Sequence, residues 1–148
     1  MRTARLAAIV FLGFLGVSLA DPPDNSIGRI KTVAGAAFIV RGAARQDAHL
    51  GDILLESDAL ETGDNGSLGV TFNDSTLMSL GPRSHVALDQ YRFNPTTRQG
   101  NFLARMKRGT LAITSGELTK AAPGSIRIQT PRAVLGVRGT KFLVRVDE

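Results

Sequence analysis

Only two histidines, His49 and His85, are available as general bases, and the chain has no cysteine. Nucleophilic catalysis needs such a base beside a hydroxyl or thiol. Ser84 adjoins His85, but successive residues in a strand point to opposite faces, so the two do not make a dyad. His49 reads as a solvated loop residue before Leu50, and His85 as an exposed residue at a strand end. Asp47, His49 and Asp52 offer a weak, oxygen-rich loop without the spacing of a metal site. Asp52, Glu56, Asp58 and Glu61 could supply the paired carboxylates of a glycoside hydrolase, a role that depends on their separation. The same acids also suit turns and strand ends. Thr62 to Gly66 and Gly136 to Gly139 have the glycine content of phosphate loops, yet neither leads into a helix whose N-terminus would hold the anion. The residues therefore predict a non-catalytic chain with no metal or cofactor site.

One set of residues stands apart as a candidate binding surface. Arg127, Arg132, Arg138, Lys141 and Arg145 fall within nineteen positions. By strand alternation Arg127, Lys141 and Arg145 face away from Ile126, Phe142 and Val144. If the two flanking strands pair, the cations form an outward basic stripe for an acidic protein partner or an anionic glycan or lipid head group. An ordinary solvated face would use the same residues.

The elements that position these residues begin with an N-terminus of secretory type. Arg2 and Arg5 precede the uncharged run Leu6 to Ala20, which ends Ser18-Leu19-Ala20 and is followed by Asp21-Pro22-Pro23-Asp24. This is the pattern of a signal peptide over residues 1–20, cleaved after Ala20. Its apolar core is shorter than the about 20 residues of a membrane span. The expected product is periplasmic or secreted, with no stable membrane span after cleavage. Without residues 1–20 the formal charge falls from +5 to +3, because two arginines and no acids are lost. With one tyrosine, no tryptophan and an export signal, nucleic acid is not an expected partner.

After a polar leader, residues 21–26, turn residues punctuate the sequence every ten or so positions, and no long helical pattern appears. That spacing predicts one all-β domain over residues 27–148. Strands are expected at Ile27 to Val33 and Ala36 to Arg41, joined through Ala34-Gly35, with a loop over Gly42 to His49. Ile53 to Leu55 and Ala59 to Leu60 follow. The clearest hairpin puts Leu68, Val70 and Phe72 on one face and Thr76, Met78 and Leu80 on the return, around a turn at Asn73-Asp74-Ser75. Val86 and Leu88 lose phase with Tyr91 and Phe93, which predicts a bulge near Asp89-Gln90. Phe102, Ala104 and Met106 form an inward row, Arg108-Gly109 a turn, and Leu111 with Ile113 the next row. Gly116 to Ala122 reads as at most one short helix. Ile126 to Gln129 is a strand stopped by Pro131, Gly136 and Gly139 bend the chain, and Lys141 to Asp147 is the last strand.

Taken in order, several blocks resemble a FecR-type domain, the extracytoplasmic module named after the iron-dicitrate sensor regulator. They are Gly28-Arg29-Ile30 with Val33-Ala34-Gly35; Leu50-Gly51-Asp52-Ile53; Asp58-Ala59-Leu60-Glu61-Thr62-Gly63; Phe72-Asn73-Asp74-Ser75-Thr76 with Leu80-Gly81-Pro82; Gly109-Thr110 with Ser115-Gly116; and Thr130-Pro131 with Gly136-Val137-Arg138-Gly139-Thr140. The resemblance implies stacked hairpins arranged as a short β-solenoid or a two-sheet roll. It also implies that these motif positions are architectural.

Two departures stand out. The family's turn usually carries Asp-Gly, whereas Ser75 follows Asp74 here, so Asn73 or Asp74 is expected to bear the positive φ. The sequence ends soon after the Arg138-Gly139-Thr140 block, so the last strand is expected at a sheet edge, open to a partner. Better-known relatives add a cytoplasmic segment that holds a sigma factor and a membrane helix, and this sequence shows neither. What transfers is an exported sensing or interaction module. Its expected partner is another cell-envelope protein; the alternative is a cell-surface polysaccharide or other anionic envelope component, with a hydrolase ranking below both.

Overall fold

The computed structural model describes residue 21 and residues 23–148; the expected signal peptide lies outside the described residues. Among the described residues, twelve strands and one short helix follow one another. They are β1 (Ser26–Ala34), β2 (Ala37–Arg41), β3 (Ala44–Asp47), β4 (Ile53–Leu55), β5 (Ala59–Thr62), β6 (Ser67–Phe72), β7 (Leu77–Leu80), β8 (His85–Phe93), β9 (Gly100–Thr114), α1 (Glu117–Ala121), β10 (Ile126–Gln129), β11 (Val134–Gly136) and β12 (Lys141–Val146). The all-β expectation holds, with one short helix where Glu117-Leu118-Thr119-Lys120 pointed to it.

The strands form a two-sheet roll that shares β9. One sheet runs β3-β2-β5-β8, continues into the first part of β9, and adds β10 and β11. The other runs β4-β1-β6-β7 into the last part of β9 and ends on β12. Every pairing is antiparallel except that of β10 with β9. Alternation decides what lies between the sheets: Ile30, Leu54, Leu68, Met78, Leu111 and Ile113 from one meet Ile39, Leu60, Leu88, Phe102 and Met106 from the other, all nearly or fully buried. Phe72, Tyr91 and Phe102 add an aromatic cluster with ring centroids 4.7–5.5 Å apart.

The bulge is found where the phase breaks, between Leu88 and Gln90. Strands β1 and β2 are also found where expected, and between them the chain passes from one sheet to the other through Gly35 and Ala36. Other expectations need correction. The expected loop over Gly42 to His49 contains β3, joined to β2 by a two-residue turn at Gly42-Ala43. All four β3 residues are exposed, so no apolar alternation marks the strand; Arg45 lies 3.5 Å over the Phe38 ring. Residues 130–133 form a hairpin turn into β11, in which Thr130 Oγ1 accepts the Ala133 N–H (3.1 Å). Arg108-Gly109 is no turn either: β9 continues through it and changes sheet.

The hairpin turn after Phe72 is a further correction. Neither Asn73 nor Asp74 takes the positive φ; Ser75 does, at 66°. Ser75 N–H donates to the Phe72 carbonyl and Phe72 N–H to that of Thr76, the pattern of a three-residue loop whose last position is left-handed. Asp74 is withdrawn from that position because its side chain is buried. Left-handed backbone costs an L-residue about 1–2 kcal/mol, and glycine's extra chain entropy offsets part of the gain from its removal. Ser75→Gly is therefore expected to stabilise the protein by about 0.5–1 kcal/mol, read as a higher denaturant midpoint at unchanged slope.

Candidate interaction surface

Most of the side chains suited to catalysis are engaged in structural contacts. Asp58, 1% exposed, accepts both Nε and Nη2 of Arg41 (2.8 and 2.7 Å) and the Leu55 N–H. That hydrogen-bonded pairing raises the affinity of Arg41 for its proton. Glu56 accepts the Tyr91 N–H and is paired with Arg92. Asp52 accepts the His49 N–H (2.8 Å), a loop closure beside an exposed imidazole. Ser84 is buried; its Oγ donates to the Gly81 carbonyl (2.8 Å) and accepts the Thr110 N–H (3.0 Å). It is a clasp between the sheets, and the imidazole of His85 turns away from it to Glu61 Oε1 (3.0 Å).

Contrary to expectation, His85 is half-buried rather than exposed. Burial holds its imidazole below the usual range, which the Glu61 carboxylate offsets only in part. Burial also works against ionisation of Glu61, but hydrogen bonds from Arg45 and His85 outweigh it and leave that carboxyl lowered. Both groups bind protons more tightly in the unfolded chain, so stability falls as pH drops, first below about 6.5 for His85 and then below about 4.5 for Glu61. His85→Gln is expected to flatten the first decline. Thermal unfolding at pH 7.5 and 5.5 measures it, and a wild type with the same slope as the variant would contradict the assignment.

Many motif residues make contacts between elements of the roll. Thr62 Oγ1 donates to the Gly81 carbonyl (2.6 Å) and accepts the Ser84 N–H (2.9 Å), fixing the end of β5 to the Gly81-Pro82-Arg83-Ser84 turn. Gly63 N–H reaches the Ala36 carbonyl, and Gly51 N–H that of Ile30. The Thr140 carbonyl accepts the Ser115 N–H, and the Gly139 carbonyl its hydroxyl. Asp74 carries more than a turn. Wholly buried, it accepts from Tyr91 Oη (2.9 Å), Thr76 Oγ1 (2.6 Å), Thr76 N and Leu118 N. Burial and this carboxylate push the Tyr91 phenol far above its usual range.

The five cations of the last third are not brought into one stripe. Strands β10 and β12 do not pair with each other; they join successive stretches of β9 in different sheets. Arg127 therefore lies beside Leu103 and Gly136 on one sheet, while Lys141 and Arg145 lie on the other. Arg138 is exposed between β11 and β12. Arg132 and Arg145 do line one groove. Where the sheets part, the Thr130–Ala133 turn and the end of β12 enclose an open groove of about 560 Å³ with Leu135, Val144 and Val146 on its apolar side. Lys107, a residue the sequence did not single out, joins the two arginines there, and Asp147 and Glu148 also line the groove.

The sequence does hold a signal for this surface: the split of charge along the chain. Residues 21–99 contain seven Lys and Arg against ten Asp and Glu, a formal −3, whereas residues 100–148 contain nine against three, a formal +6. In the basic part, Lys107, Arg127, Arg132, Arg138 and Lys141 have no carboxylate within 4.0 Å among the described residues. Arg145 pairs only with exposed Asp147, and Arg108 with exposed Glu148.

Among the described residues, no helix is long and apolar enough to cross a membrane. No curated protein and no solved structure matches the chain. The family model described as FecR protein matches residues 58–148, well over half of the sequence and every strand from β5 onward. That family is one of sensing and regulatory proteins with domains of extracytoplasmic type. With its two-sheet roll and its motif residues set at the junctions of that roll, the chain belongs to the FecR family.

Proposed function

We propose that this chain is an exported, non-catalytic sensing and interaction module that binds another cell-envelope protein through its basic C-terminal portion. The observation that carries the reading is the charge split: residues 100–148 hold a formal +6, and five of their cations, on β9, β10, β12 and the connections between β10 and β12, have no carboxylate within 4.0 Å among the described residues, with Lys107 and Arg132 beside an apolar groove. Such an arrangement steers an acidic protein surface and orients it. The engagement of Asp52, Glu56, Asp58, Glu61, Ser84 and His85 in structural contacts favours binding over hydrolysis. Export is supported by Arg2, Arg5 and the run Leu6 to Ala20 in the sequence.

In-cell crosslinking followed by mass spectrometry tests both parts. The mature protein is expected to begin at Asp21 and to crosslink to a defined envelope protein. Changing Arg127, Lys141 and Arg145 together to Gln is expected to weaken that crosslink roughly tenfold. The exposed positions should keep stability within about 1 kcal/mol of wild type. Unchanged crosslinking would remove the basic face from the function. Loss of the protein crosslink in favour of salt-reversible sedimentation with wall or capsule material would instead support the glycan reading.

A further inference from the structure

Strand β12 has a single neighbour, β9, among the described residues, and the phase of that pairing decides what its open side displays. On one side of β9, the Ser115 N–H donates to the Thr140 carbonyl (2.8 Å); on the other, the Gly81 N–H donates to the Thr110 carbonyl (3.0 Å). Residues opposed in an antiparallel pair exchange hydrogen bonds at every second position. With Lys141 opposite Thr114 and Leu80 opposite Leu111, the residues of β9 that bond toward β12 are Leu111 and Ile113, through Val144 and Phe142. Lys141, Leu143 and Arg145 therefore turn their N–H and C=O groups to the open side. Their side chains also face outward, and Leu143 is 71% exposed between the two cations.

From this display we infer that the β12 edge is a strand-addition site for an extended partner segment with acidic, apolar and acidic residues at alternating positions. The inference rests on the interaction reading above and names the chemistry of the partner. Main-chain hydrogen bonds supply the attachment, and the side chains opposite set the selection. An apolar residue facing Leu143 covers its exposed surface, and carboxylates two positions to either side face Lys141 and Arg145. The present partner of Arg145, Asp147, is itself exposed and only two residues away, so an incoming carboxylate can replace it.

The same row disfavours a second copy. An antiparallel pair of β12 strands centred on Leu143 sets Lys141 opposite Arg145 at both ends, and like charges directly opposed are destabilising. Charged residues on edges commonly guard against self-pairing; here their sign also specifies what is admitted.

The test uses the whole mature chain and a synthetic seven-residue peptide, Thr-Glu-Thr-Leu-Thr-Glu-Thr, followed by fluorescence anisotropy. Saturable binding is expected, at least tenfold tighter than for a peptide of equal composition with its two Glu adjacent. Leu143→Pro removes an N–H from the open edge and none from the β9–β12 ladder, a place where edge strands accept proline. It is expected to weaken binding at least tenfold. Lys141→Glu with Arg145→Glu is expected to lose the acidic peptide and gain the version with Lys in place of Glu, which keeps the test decisive if the proline variant folds poorly. Equal binding of the two peptides, or no switch on charge reversal, would overturn the proposal. An envelope crosslink unchanged by Leu143→Pro would overturn strand addition while the interaction reading stands. Absence of any crosslink from the wild type would remove that reading, and the peptide titration would still judge the edge.

Discussion

Replacing Asp74 with alanine is expected to cost about 4 kcal/mol, among the largest single-residue effects in this fold. The carboxylate is wholly buried, and the described residues place no cation within 4.0 Å of it. Its two oxygens accept from four donors: Tyr91 Oη, Thr76 Oγ1 and the backbone N–H groups of Thr76 and Leu118. Removing it orphans several of these at once, and each buried donor left unpaired costs about 1–3 kcal/mol. The melting temperature is expected to fall by roughly 10–20 °C. Asp74→Asn keeps the shape but turns an NH2 toward donors, and is expected to cost about half as much. Tyr91→Phe removes two bonds, the donation to the Asp74 carboxylate and the acceptance of the Asp74 N–H, and should cost about 2 kcal/mol; the two sites should be non-additive because they share the first of these.

The same carboxylate performs the capping that α1 lacks for itself. Gly116 supplies no side-chain cap; the Glu117 N–H goes to the Asp74 carbonyl (2.7 Å) and the Leu118 N–H to its carboxylate. A five-residue helix does not persist alone. Hydrogen exchange at Glu117 and Leu118 is therefore expected to accelerate in Asp74→Asn beyond the change in global stability. Uniform loss of protection across β6, β8 and α1 would show instead that the carboxylate acts only on the fold as a whole.

The sequence discloses elements where burial writes a period and conceals them where it does not. Leu68, Val70 and Phe72 alternate with exposed or half-buried residues, so β6 is legible, and the slip from Leu88 to Tyr91 betrays the bulge. Strand β3 is exposed along its whole length and β11 buries no residue fully, so each reads as a loop. Asp74 reads as an ordinary turn residue because burial of a turn depends on α1 folding over it, a contact 44 positions away for Leu118. At the candidate surface, the density of cations is legible but their grouping is not. Arg127 and Arg145 lie on strands close together in the sequence, yet β9 separates them by changing sheet between the places where β10 and β12 attach.

That change of sheet is the source of the second large effect, expected for Gly109→Ala. A glycine after Arg108 fits a hairpin turn or a corner equally well by sequence. Here it is a corner, with φ at 96° and a hypothetical Cβ that would run into Ser84. Two costs combine: the left-handed backbone, about 1–2 kcal/mol, and overpacking against a residue held by Gly81 and Thr110, about 1–3 kcal/mol. A total of about 3–4 kcal/mol is expected, and more for valine. Gly42→Ala provides the contrast, since Gly42 has a φ of 60° but nothing within 4 Å of the added methyl, and is expected to cost only about 1 kcal/mol. Equal losses at the two sites would mean that the Ser84 clasp yields freely. If the corner at Gly109 is as rigid as this packing implies, the divergence of β10 from β12 is fixed by it. Gly109→Ala should then reduce peptide binding at the β12 edge even at temperatures where the variant remains folded.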